Sequence, residues 1–169
     1  MSSVSSALPS VVAIEDLVRQ PDVHIAHVGS VVIAKLTKNS VPDIELLFKQ
    51  LHLTAKQHTN QVTLLTLVPQ LDTVTRIGDD VRRRAGELIK ELNPICIGSG
   101  TVVLGKGLGP SMIRMFMTGF NMISKTPFPQ RTFSTLAEGI TWIQGLPRQH
   151  PEARSVTRSA VVKHFEIEE

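Results

Sequence analysis

Between Asp22 and Lys38 the chain reads DVHIAHVGSVVIAKLTK, two Val- and Ile-rich runs broken at Gly29-Ser30. Such runs on either side of a short turn predict a hairpin of adjacent strands. Ser40-Val41-Pro42-Asp43 then supplies a capping hydroxyl, a first-turn proline and an acid. Apolar residues follow at Ile44, Leu47, Phe48, Leu51 and Ala55, the spacing of a helix with one buried face. The run from Val62 to Val68, stopped by Pro69, has the length and Val/Thr content of a buried strand. A second helical period occupies Ile77, Val81, Ala85, Leu88 and Leu92, with Asp72 and Thr73 as caps and Asn93-Pro94 as its stop. Ile95-Cys96-Ile97 and Thr101 to Leu104 read as one strand, and Gly98 and Gly100 between them permit a bulge or a close backbone approach. After a turn at Gly105-Lys106-Gly107, a third helix starts at Gly109-Pro110 and runs through Met112, Phe116, Phe120 and Ile123. Arg131-Thr132-Phe133 forms a short strand. Thr135 and Glu138 then make a capping-box pattern ahead of Leu136, Ile140, Trp142 and Ile143.

This order of strands and helices implies a single α/β domain over residues 22–146, with a mixed, mostly parallel sheet of four to five strands and about four helices. Residues 1–21 open on a Ser-rich stretch and read as a partly disordered arm. Residues 147–169 read as a tail. Within it, Ser159 to Phe165 has the β-branched and aromatic content of a strand added to a sheet edge.

Composition narrows the class. A length of 169 residues with 41% apolar and 20% charged residues suits one folded domain. The lone cysteine, Cys96, makes no internal disulfide and fits a reducing cytoplasm. Met1 to Ser10 has neither a basic region nor a long apolar region, and no stretch nears the roughly 18 apolar residues of a membrane span. The expectation is a cytoplasmic protein. A net charge of +3, one Trp, six Phe and no Tyr offer little for base stacking, so nucleic acid is not an expected partner.

Candidate chemistry is sparse. Gly100 to Lys106 matches the start of a phosphate-binding loop, but Gly107 stands where Ser or Thr would hold magnesium, and the intervening residues read as strand. A helix start at Gly107, Gly109 and Ser111 is a candidate anion site through its exposed amides. His24 and His27 lie three apart in a strand and so face opposite sides, and no His spacing marks a metal site. Cys96 reads as a small buried hydrophobe. In the run Arg82-Arg83-Arg84, the i,i+4 pairs Asp79–Arg83 and Asp80–Arg84 offset much of the charge, and the run reads as a solvated face. No catalytic residue, cofactor or metal is expected, and the chain does not read as an enzyme.

The third helix stands out. Stepping about 100° per residue from Met112, Phe116, Phe120 and Ile123 share its face, while Met115 and Met122 fall on one flank and Met117 on the other. Four of the five methionines are here, and methionine adapts to irregular or changing partners. Such a helix is either covered by another element or a docking face. On the first helix, Leu46 and Leu53 project opposite the Ile44/Phe48/Leu51 face. Met115, Met117, Met122, Leu46 and Leu53 are therefore candidate partner-binding residues. The predicted hairpin's outer strand is a second candidate, through edge pairing with an extended peptide.

The element order, and the closing TFSTLAEGITWIQGL with its strand-ending Phe, Ser/Thr cap and apolar-Trp-apolar finish, resemble the STAS domain of sulfate transporters and anti-sigma-factor antagonists. The resemblance spans about 125 residues. It implies a protein that is not an enzyme and binds partner proteins; together with the absent catalytic constellation, the Met-rich third helix and the hairpin edge, the expectation is a non-catalytic regulatory or accessory module that docks a protein or peptide, or a homodimer. It also implies an alternative, a phosphoregulated anti-sigma-factor antagonist, for which Thr73 or Thr75 stands near the switch position. A further alternative, by likeness to CRAL-TRIO proteins, is a carrier of a small apolar ligand.

Overall fold

A computed structural model describes residues 12–38, 40–69, 77–123 and 125–168; for Phe116 and residues 119–123 it describes the backbone alone. Six strands form one sheet in sequential order: β1 (Glu15–Arg19), β2 (Val23–Val28), β3 (Val31–Leu36), β4 (Val62–Val68), β5 (Cys96–Val103) and β6 (Gln130–Phe133). The first three make an antiparallel meander, and β3 through β6 are parallel. Parallel neighbours need crossovers, which α1 (Val41–Gln57), α2 (Asp79–Leu92) and α3 (Leu108–Ile123) provide. α4 (Leu136–Gln144), a 3-10 helix (Pro151–Ser155) and α5 (Arg158–Phe165) follow.

Strand alternation splits the core into two layers. Val23, Ile25, Val32, Ala34, Val62 and Leu64 pack with α1 and α2. Ala26, Val28, Val31, Ile33, Leu65 and Val102 pack with α4, α5 and the 3-10 segment. Local signals act where they stand. Ser40 Oγ accepts from Asp43 N at 3.3 Å, and Thr135 Oγ1 accepts from Glu138 N at 3.3 Å. In β5, Cys96 faces Val62 while Gly98 faces Thr63, so Ile97 is the extra residue of a bulge.

The α/β class stands, with six strands and five α-helices among the described residues in place of the expected four to five and about four. Two corrections account for the difference. Residues 15–19, assigned to the arm, form β1 and cover β2. The hairpin's outer strand is therefore paired, and among the described residues β1 and β6 are the edge strands of the sheet. The tail is also not an added strand. Thr157 Oγ1 accepts from Ala160 N at 3.3 Å and starts α5, whose Val161 and Phe165, one turn apart, are both buried. Glu166, at φ +51, ends it in the left-handed conformation. Ile167 N then donates to Val162 O at 3.1 Å, and its side chain joins the core.

Polar side chains fasten this region to the body. Gln144 Nε2 donates to Ala153 O and Val156 O at 3.1 and 2.9 Å. Gln149 Nε2 donates to Ile143 O at 2.7 Å and to the buried Thr63 Oγ1 at 3.0 Å.

Candidate functional site

α3 packs at the far end of the sheet, on β5 and β6. Its entry turn uses Gly105 and Gly107 at φ +96 and +102, a region open to glycine. Leu108, Met112 and Met115 are 84, 60 and 74% exposed. At 100° per residue the three lie within about 60° of one another, so they form a single apolar ridge. Met112, the reference position of the helical face read from the sequence, is thus exposed together with Met115. Met117 is half-buried on the inner side, and the side chain of Met122 lies outside the described residues. Neither end of the helix carries a charged residue that would solvate the ridge.

The α1 candidates separate. Leu53 is 44% exposed. Leu46, expected to project outward, is half-buried against the α1/α2 core. Both sit on a helix packed over β3 and β4, away from the α3 ridge, so the structure does not combine them into one surface. Thr73 and Thr75 lie outside the described residues. At the α3 entry, Gly107 and Ser111 are exposed, and Arg114 reaches back along the turn. Its Nη1 donates to Val103 O at 2.9 Å and Gly105 O at 3.4 Å, and its Nη2 donates to Ser111 Oγ at 3.1 Å. The turn is closed by its own cation, and Gly109 is half-buried.

The phosphate-loop reading ends because 101–103 are strand. Two arginines of the run, Arg82 and Arg84, make ion pairs with acids other than the i,i+4 partners expected. Arg84 bonds Glu45 of α1 at 2.8 Å and Glu87 at 3.0 Å, and those bonds raise its pKa. Arg82 pairs with Asp79 at 3.6 Å.

Cys96 is buried, 4% exposed, and burial pushes its thiol up to about 12. A native chain at pH 8 should therefore react with a disulfide reagent roughly a thousandfold more slowly than a free thiol, and at the full rate once unfolded in guanidinium. Rapid labelling of the folded chain would contradict the packing of β5.

A polar cluster escaped the sequence reading. The bulge between Asp16 and Val18 places Asp16 opposite Ala26 and Arg19 opposite His24. Residues three apart in a regular strand face opposite sides; the bulge brings these two to one face. His24 in turn faces Lys35 across β2 and β3, and the end of α5 lies over this row. The Nε2 atoms of His24 and His164 both donate to Asp16 Oδ1, at 2.6 and 2.7 Å. Desolvation acts to raise the Asp16 carboxyl, and the two imidazole bonds outweigh it, so its pKa lies below the usual range. Arg19 reaches Glu166 at 3.3 Å and the other Asp16 oxygen at 3.6 Å. Lys35 Nζ donates to Phe165 O at 2.6 Å, a cation on the C-terminal carbonyls of α5. The Phe165 ring lies 4.5 Å from His24. Beside them is a pocket of about 150 Å³ lined by Arg19, His24, Lys35, Thr37, Phe165 and Glu166. His27, on the other face as its spacing requires, donates from Nδ1 to Gly29 O at 2.9 Å.

Comparison with family models, with curated proteins and with solved structures finds no match to this chain. No helix among the described residues is long and apolar enough to cross a membrane.

Proposed function

We propose that the protein is a non-catalytic docking module with a STAS-like domain, and that it binds a partner protein through the ridge of α3. The exposure of Leu108, Met112 and Met115 carries this reading. Burying a side chain of this size is worth about 1.5–3 kcal/mol, so three in one line are costly to leave in water. They stand at positions i, i+4 and i+7, the anchor spacing by which a helix packs into an apolar groove, and two of the three are adaptable methionines. The run strand, strand, helix, strand, helix, strand, helix, strand, helix from β2 to α4 supports the STAS-like assignment, and members of that group work mostly by binding proteins.

Met112→Glu/Met115→Glu tests it. Both side chains are solvent-facing, so the melting temperature should stay within about 2 °C of the parent, since surface changes are within about 0.5 kcal/mol. A photo-crosslinking residue at position 115 should join the chain to one partner at fixed stoichiometry in its own host, and the double variant should lose that partner. A second copy of the chain in the crosslink would make the ridge a dimer interface. Capture by the variant equal to the parent's would remove α3 from the site.

A further inference from the structure

We propose that Asp16, His24 and His164 form a binding site for a divalent transition-metal ion of the zinc type. One oxygen and two imidazole nitrogens are the donor set such ions take, and the three ligand atoms lie within 4.8 Å of one another. They come from β1, β2 and α5, so the fold assembles the set from positions 148 residues apart at the extreme. His24 is 8% exposed and held on a strand between two others, so one ligand is rigid. His164 and Asp16 are partly exposed, which leaves an entry path.

The distances fit an ion after a small opening. Zinc–ligand bonds of about 2.0–2.1 Å at tetrahedral angles put ligand atoms roughly 3.4 Å apart. The two imidazoles now stand 2.6 and 2.7 Å from Asp16 Oδ1, so a shift of under about 1 Å makes room. In the hydrogen-bonded arrangement each Nε2 carries a proton. On coordination each imidazole takes the tautomer with its proton on Nδ1, and the ion replaces the two shared protons at the carboxylate. Neighbouring charge is arranged to leave Oδ1 available. Arg19 is drawn to Glu166 and to Oδ2, and Lys35 to the Phe165 carbonyl. Three protein ligands leave a fourth position for water, the pattern of an open site.

The test uses the full chain, stripped with chelator, and titrated calorimetrically with zinc and separately with cobalt(II), whose visible bands report coordination by nitrogen and oxygen. One equivalent should bind with a Kd below about 50 µM. At a hundredfold excess over Kd the melting temperature should rise by about 5–10 °C, because the ion ties α5 to the meander. His164→Gln and Asp16→Asn, which keep size and hydrogen bonding, should each weaken binding at least tenfold while retaining the parent's circular dichroism. Weaker binding by the parent overturns the proposal. So does binding that survives either substitution, since the ion would then sit on other histidines.

Discussion

Phe165→Ala should lower the melting temperature by about 10 °C, and removal of residues 157–169 should leave a chain that does not fold to a soluble native state. Phe165 is 1% exposed and packs with the sheet face of Ala26, Val28, Val31 and Ile33. Truncating a buried Phe costs about 3–5 kcal/mol through lost transfer energy and the cavity left behind. In a domain of this size each kcal/mol moves the midpoint by about 2–4 °C. Deletion also removes Val161 and Ile167 from the same layer and the Lys35 bond to the α5 carbonyl. Three buried apolar side chains at about 1.5–3 kcal/mol each approach a total stability of roughly 5–15 kcal/mol. Melting followed by circular dichroism, with Lys163→Ala as an exposed control, measures the effect. If the truncated chain kept the parent's midpoint, elution volume and amide protection, α5 would not belong to the core.

α5 also shows where sequence patterns stop being decisive. Ser159 to Phe165 is rich in Val and carries a Phe, and its β-branched content points to a strand. The competing signals were present but short: Thr157 as a cap, and Val161 with Phe165 four apart. An eight-residue helix offers only two buried positions, too few for periodicity to outweigh propensity. Its burial comes from the sheet, through contacts far apart in sequence. The long helices are different. In α1 all five residues assigned to the apolar face, Ile44, Leu47, Phe48, Leu51 and Ala55, are buried, because seventeen residues repeat the pattern several times. β1 was illegible for another reason. Glu15, Asp16 and Arg19 are polar in a five-residue edge strand, and such a strand is specified by pairing with β2.

The candidate sites divide along the same line. The methionines of α3 stand out by composition, but an apolar arc wider than half the helix does not say which side meets the sheet; the fold leaves Met112 and Met115 exposed and Met117 half-buried. The histidine cluster had no local signature at all. Asp16 and His24 meet through a bulge, and His164 arrives on an element read as a strand. Spacing rules find ligands on one element; these three meet only in the assembled fold. An edge strand with two adjacent acids, Glu15 and Asp16, beside a strand whose His24 falls on the same side as Asp16, shows its meaning only once β1 is paired with β2.

The same substitution, Gly to Ala, should have opposite signs in two helices. In α2, a Cβ at Gly86 meets nothing within 4 Å. Gly86→Ala should therefore stabilise by about 0.5–1 kcal/mol through helix propensity and lower unfolded-state entropy. In α4, a Cβ at Gly139 would lie 2.6 Å from Val102 Cγ2 and 3.3 Å from Leu65 Cδ1. Both neighbours are fully buried. Val102 is a β-branched residue on an inner strand, so its methyl has little freedom to turn away. The helix must lift off the sheet by more than about half an ångström, at an overpacking cost of about 1–3 kcal/mol that exceeds the propensity gain. Gly139→Ala should lower stability by about 1–2 kcal/mol. Gly139→Leu should do far worse. Three further carbons would displace α4 entirely and expose Leu136, Ile140 and Ile143, all of which pack in that layer; with about 2–3 kcal/mol at stake for each, the expected outcome is aggregation on expression. Urea unfolding of the two alanine variants beside the parent gives the signs directly. A stabilised Gly139→Ala would mean that α4 does not pack as closely on β5 as the structure has it.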